Sequence, residues 1–104
     1  MTLTTALQAY FADATNGALT EIAEEPEPGT RTTIAAIVLF GAGALCEWAT
    51  IMPNLWAEAL EAGADQHDLG AVFNGCNRPA TESRSFEWTA AALRLAAWAD
   101  GVAA

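Results

Sequence analysis

Apolar residues fall along the chain at helical spacing far more often than in alternation. Near the start, Leu3, Leu7, Tyr10, Phe11 and Ala14 share one helical face, which predicts a helix from about Thr4 to Asn16. Thr2 or Thr4 can cap it, and Asn16-Gly17 supplies a stop or kink. Asn-Gly also suits a hairpin turn, but its flanks, F-A-D-A-T and A-L-T-E-I, alternate poorly and are not β-rich. A second short helix over Ala18 to Glu25 aligns Leu19, Ile22 and Ala23. The segment E-E-P-E-P-G at 24–29 then ends all periodicity, because proline and glycine break regular structure and the glutamates hold the segment in water.

From Ile34 to Cys46 the chain runs thirteen residues without a charge. The spacing predicts a long helix capped by Thr30, Thr32 or Thr33 and running to about Thr50, ahead of Pro53. The β-branched start, Ile34 to Val38, is compatible with a strand; the alanines, the length and the following E-W-A-T favour the helix. A helix apolar all round is a buried one, so this is the helix the others wrap. It is too short for a bilayer, which needs about 20 apolar residues. An interfacial helix would carry Lys or Arg on a polar face, and none is present.

Pro53 fits the first position of a third helix, P-N-L-W-A-E-A-L-E-A-G, ending at Gly63. Asp65 caps a short fourth helix, Q-H-D-L-G-A-V-F-N-G, ending at Gly75. After a loop, the last helix runs from Ser85, its cap, to about Asp100, with Glu87 in the first turn and Gly101 as the stop. Trp88, Ala92, Leu95 and Ala99 form its apolar stripe, with Phe86, Leu93 and Ala97 nearby. The expected fold is all-α: a bundle of five to six helices around a buried apolar central helix at about 30–50. It forms a single domain over 1–104, with an acidic Pro/Gly loop at 24–29.

Charge changes the picture from fold to partner. Of 104 residues, thirteen are acidic and four are arginine (Arg31, Arg78, Arg84, Arg94); there is no lysine, and the net charge is −9. Such a chain repels nucleic acid and anionic lipid and favours a basic protein surface. The ordinary consequence of this charge is solubility. Cys46 and Cys76, in A-L-C-E-W and N-G-C-N-R, match no metal or redox spacing, so both are expected reduced in the cytoplasm of a bacterial host cell. The N-terminus lacks the basic region of a signal peptide.

Candidate chemistry is sparse. Gly41-Ala42-Gly43 begins like a dinucleotide fingerprint, but Cys46 replaces the third glycine and no βαβ context follows. Residues 41–44 read better as a notch for close helix approach, or as the seam of a homodimer. His67, the single histidine, stands in a polar D-Q-H-D stretch with no partner at a catalytic or metal-binding spacing, so no cofactor, metal or catalytic group is expected. The clearer pattern is acidic. Glu58, Glu61, Asp65 and Asp68 would share one face if their helix were continuous, although Gly63 falls between them. Glu21, Glu24 and Glu25, with Glu27, form a second cluster. Either cluster alone has a common explanation as a solvated helix face; together they match arginines and lysines that ordinarily bind phosphates. Of the four tryptophans, Trp56 lies beside the first cluster as a candidate anchor, while core packing accounts for most of the rest.

In size, charge and lack of catalytic apparatus the chain resembles the small acidic helical inhibitors carried by phages and mobile elements, of which anti-CRISPR proteins are one group. The resemblance covers overall character, not a motif. It implies a non-enzymatic, stoichiometric binder that docks on the basic nucleic-acid groove of an effector complex, without touching nucleic acid or membrane itself. A helical immunity or adaptor module, or an obligate homodimer sealed through Gly41–Ala44, is the alternative.

Overall fold

The computed structural model of the chain describes residues 1–42, 52–74 and 86–103. Among them every regular element is a helix: α1 (Leu3–Ala12), α2 (Ala18–Ala23), α3 (Thr30–Gly41), α4 (Met52–Ala62), α5 (Gln66–Asn74) and α6 (Phe86–Ala103). The all-α bundle is therefore as expected. None of these helices is long and apolar enough to cross a membrane.

The apolar run does make the central helix. Residues 32–39 and 41 of α3 are buried, and α3 touches α2, α4, α5 and α6. The described helix ends at Gly41, capped by Ala42; residues 43–51, which hold the rest of the expected helix, lie outside the described residues. Its N-cap is Gly29, not a threonine. Thr32 sits three residues in, where its hydroxyl accepts from the Gly29 amide at 3.4 Å, half of a capping box.

Local hydrogen bonds explain the other boundaries. α1 stops at Ala12, before the expected Asn16, because the Asp13 carboxylate accepts from the Thr15 hydroxyl (2.7 Å) and amide (3.0 Å). That turn competes with helix and leaves Ala14 exposed. α4 ends in a Schellman motif: Gly63 at φ 106°, with Gly63 N–H on Leu60 O and Ala64 N–H on Ala59 O. Its start is Met52, so Pro53 is its second residue. Asp65 caps α5 by accepting from the Asp68 amide at 2.9 Å. α6 passes through Gly101 to Ala103, since one glycine costs a helix only about 1 kcal/mol and nothing there imposes a positive φ. Its stripe of Trp88, Ala92, Leu95 and Ala99 is buried as expected, while Ala97 faces solvent and Ala91 and Ala96 take its place in the core.

Two contacts fix how the helices meet. Gly41 is pressed against α5 and α6: a Cβ there would lie 2.6 Å from the Val72 carbonyl and 3.3 Å from Trp88 Nε1. The Trp88 indole N–H donates to that same carbonyl at 3.1 Å, so the glycine notch and a buried hydrogen bond share one point. At the other end, the Asp100 carboxylate accepts from the amides of Leu3 (2.7 Å) and Thr4 (3.0 Å) and from the Thr4 hydroxyl (2.8 Å). With Thr2 Oγ1 taking the Thr5 amide at 3.1 Å, the free N–H groups opening α1 are all used.

Partial burial pushes the Asp100 carboxyl up, but the Thr4 and Leu3 hydrogen bonds and the Arg31 charge together outweigh it and hold it below its usual range. A depressed carboxyl stabilises the fold above its unfolded value, near pH 4, and that contribution is lost as pH falls through the lower folded value. Asp100→Ala should therefore cost about 1–3 kcal/mol at neutral pH. The gap to the parent in urea unfolding should narrow as the pH is lowered into that range. Gly41→Ala should cost about 1–3 kcal/mol by overpacking. In contrast, Gly101→Ala meets open space and should gain about 0.5–1 kcal/mol in the same titration.

Candidate partner-binding surface

The two arginines among the described residues are both held inside the molecule's own contacts. Arg94 of α6 grips Asp68 of α5, with Nη2 at 2.7 Å and Nε at 3.1 Å from Oδ1 and Nε at 3.3 Å from Oδ2. The Asp68 hydrogen bond raises the Arg94 pKa further above its ordinary value, so the guanidinium is fixed as a cation. Arg31 of α3 donates to the Met1 carbonyl at 3.0 Å and stands 3.7 Å from Glu25, while its Nε is buried without a partner. It faces inward.

Most of the described acids have no such partner among the described residues. Glu21 and Glu24 are exposed at the end of α2 and Glu27 in the loop after it; Glu25, half-buried, is the one that meets Arg31. Glu58 and Glu61 are exposed on α4, and Asp65 is exposed as the cap of α5. Asp68 departs from the expected stripe. α4 ends at Ala62 and α5 starts at Gln66, so the four acids are not on one continuous helix, and Asp68 is 8% exposed in its pair with Arg94. It holds α5 to α6 and is not available to a partner.

Trp56 is half-buried, edge-on to Phe73 of α5 at 5.2 Å and 85°. Phe73 in turn stacks on Phe40 at 5.8 Å, so the tryptophan is tied to the core on one side. Leu60, one turn further along α4, is 37% exposed and extends the same side of the helix outward. Trp88 is core, and Trp48 lies outside the described residues, as do Cys46, Cys76, Gly43, Ala44, Arg78 and Arg84. The surface of Gly41 is covered by Val72 and Trp88 of its own chain, so a seam between two copies would have to rest on other positions. His67 is 80% exposed at its side chain and 4.0 Å from Glu87. No group of three or more His, Cys, Asp or Glu side chains among the described residues is placed to hold a metal.

A groove of about 270 Å3 separates the two acidic segments. Pro28, Gly29, Thr30 and Thr33 line one wall, and Glu58, Ala59 and Ala62 the other. The Thr33 hydroxyl donates across it to Glu58 Oε2 at a long 3.4 Å. Among the described residues, Glu58 is the one carboxylate in its lining. Sequence reasoning named the acids but not the groove, because Thr33 and Glu58 are 25 residues apart and no local spacing announces their meeting.

No family model, curated protein or solved structure matches this chain.

Structural and outward-facing acids should separate in a thermal melt. Asp68→Asn should lower the midpoint, because it strands Arg94 at the α5–α6 contact, whereas Glu61→Gln should not lower it.

Proposed function

We propose that the protein is a non-enzymatic, stoichiometric binder that docks its carboxylate surface on a basic, nucleic-acid-binding surface of a partner complex. One observation carries this reading: each arginine of the described residues is paired with a carboxylate of its own chain, while Glu21, Glu24, Glu27, Glu58 and Glu61 are exposed and form no ion pair among the described residues. Arginines and lysines that normally hold phosphates are the natural complement of such a surface. The docking residues are Glu21, Glu24, Glu58, Glu61 and Asp65, with Trp56 and its neighbour Leu60 as apolar support. Asp68 and Glu25 leave the set, since Arg94 and Arg31 already meet their charges.

In this mode the protein resembles the acidic helical inhibitors of phages and mobile elements, anti-CRISPR proteins among them. It would act in the cytoplasm of a bacterial host, occupying the groove of an effector complex and keeping nucleic acid out. A helical immunity or adaptor role would use the same kind of surface against a different basic protein.

Affinity purification of the intact protein from bacterial extract, with nuclease treatment, tests the reading. A basic nucleic-acid-handling complex should be retained at a fixed ratio. It should be released as the screening length shrinks from about 30 Å at 0.01 M salt to about 3 Å at 1 M. Glu58→Lys/Glu61→Lys and Glu21→Lys/Glu24→Lys variants that keep their helicity should each lose it. A partner retained regardless of salt and of both reversals would refute the docking surface.

A further inference from the structure

We propose that Asn16 is a site of spontaneous deamidation in the folded protein, through attack of the Gly17 backbone nitrogen on its side-chain amide. The site lies in the connection between α1 and α2 and does not depend on what the acidic surface binds.

In this reaction Gly17 N bonds to Asn16 Cγ and gives its proton to water. The Cγ–Nδ2 bond breaks, and Nδ2 takes a proton from water and leaves as ammonia. The product is a cyclic imide. Water then opens the imide at either of its two carbonyls, giving aspartate or isoaspartate. One water is consumed, one ammonia is released, and nothing is oxidised or reduced. Three conditions favour the step: an attacking nitrogen held by no acceptor, a polarised amide carbonyl, and a backbone free to turn toward it.

All three are met at Asn16. The amides on either side of Gly17 are engaged, Asn16 N–H with Asp13 O at 2.9 Å and Ala18 N–H with Asn16 Oδ1 at 3.0 Å. Gly17 N–H has no acceptor among the described residues. The bond from Ala18 falls on the oxygen that gathers negative charge as Cγ is attacked, which is the role of an oxyanion donor. Both residues are exposed, between the end of α1 at Ala12 and the start of α2 at Ala18. Glycine brings no side chain to shield its nitrogen, and a Cβ at Gly17 would meet nothing within 4 Å.

Asn54 makes the contrast. It is exposed too, but it lies within α4, where the helix holds its backbone, and the branched side chain of Leu55 follows it. Asp100 precedes Gly101, yet it sits inside α6 with its carboxylate taken by Leu3 and Thr4. At position 16 either product adds a carboxylate. Aspartate keeps an acceptor for Ala18 N–H, whereas isoaspartate lengthens the main chain between α1 and α2 by a methylene.

Incubation of the intact, folded protein in mildly alkaline buffer, followed over time by mass spectrometric peptide mapping, tests the site. Asn16 should gain the mass of an amide-to-acid exchange and split into two chromatographic isomers, while Asn54 keeps its amide over the same interval. Gly17→Ala should lose most of the conversion. Alanine suits φ −88° with open space around it, so this variant keeps the fold. Asn16 left intact, Asn54 converted as fast, or an unchanged rate in Gly17→Ala would each overturn the proposal.

Discussion

The constraint on which the rest depends is that α3 must be covered on every side. With residues 32–39 and 41 all buried, no face of this helix is left for water, and four helices close round it. Close approach is what makes the covering possible. At Gly41 the backbone of α5 comes so near that a single methyl group would collide with the Val72 carbonyl, and the Trp88 indole hydrogen-bonds to that carbonyl from α6. Three helices are thereby locked at one point. The covering helices each keep one face against α3 and turn the other outward, and the charged side chains of the described residues lie on those outer faces, apart from Asp68, which is buried between α5 and α6.

How the charge is distributed follows from scarcity of cations. Arg94 joins α5 to α6 through Asp68, and Arg31 lies along the Met1 and Glu25 side of α3. Asp100 is satisfied without a salt bridge, by the amides that open α1. These contacts join elements and are structural. What they leave outward is carboxylate, on α2, on the loop that follows and on α4, with the groove at Glu58 between the two groups. Like charges on a surface repel one another and cost some stability, a cost compatible with a surface kept for another protein.

Helices were readable in the sequence wherever apolar periodicity and a local turn signal coincided. The stripe of Trp88, Ala92, Leu95 and Ala99, the cap at Asp65 and the stop at Gly63 all rest on neighbours within a few residues. Boundaries failed where a side chain offered the backbone a different partner. Asp13 bound Thr15 and shortened α1, and Gly29 displaced the threonines as the cap of α3. The acidic surface was half readable. Glu21, Glu24, Glu58 and Glu61 are exposed, as a polar helix face should be, but Asp68 met Arg94 at a separation of 26 residues, which no local pattern encodes. The groove at Thr33 and Glu58 was hidden for the same reason. Tertiary pairing decides which of many similar carboxylates are free.

An uncompensated carboxylate surface can be tested on the protein alone, by following its thermal midpoint as sodium chloride is raised. Wild type should gain stability as screening relieves the repulsion. A variant with Glu21, Glu24, Glu58 and Glu61 all changed to glutamine should start higher at low salt and converge with wild type at high salt. A midpoint that falls with salt, or a variant no more stable than wild type at low salt, would mean that these acids are compensated within the fold, and the docking surface would lose its basis.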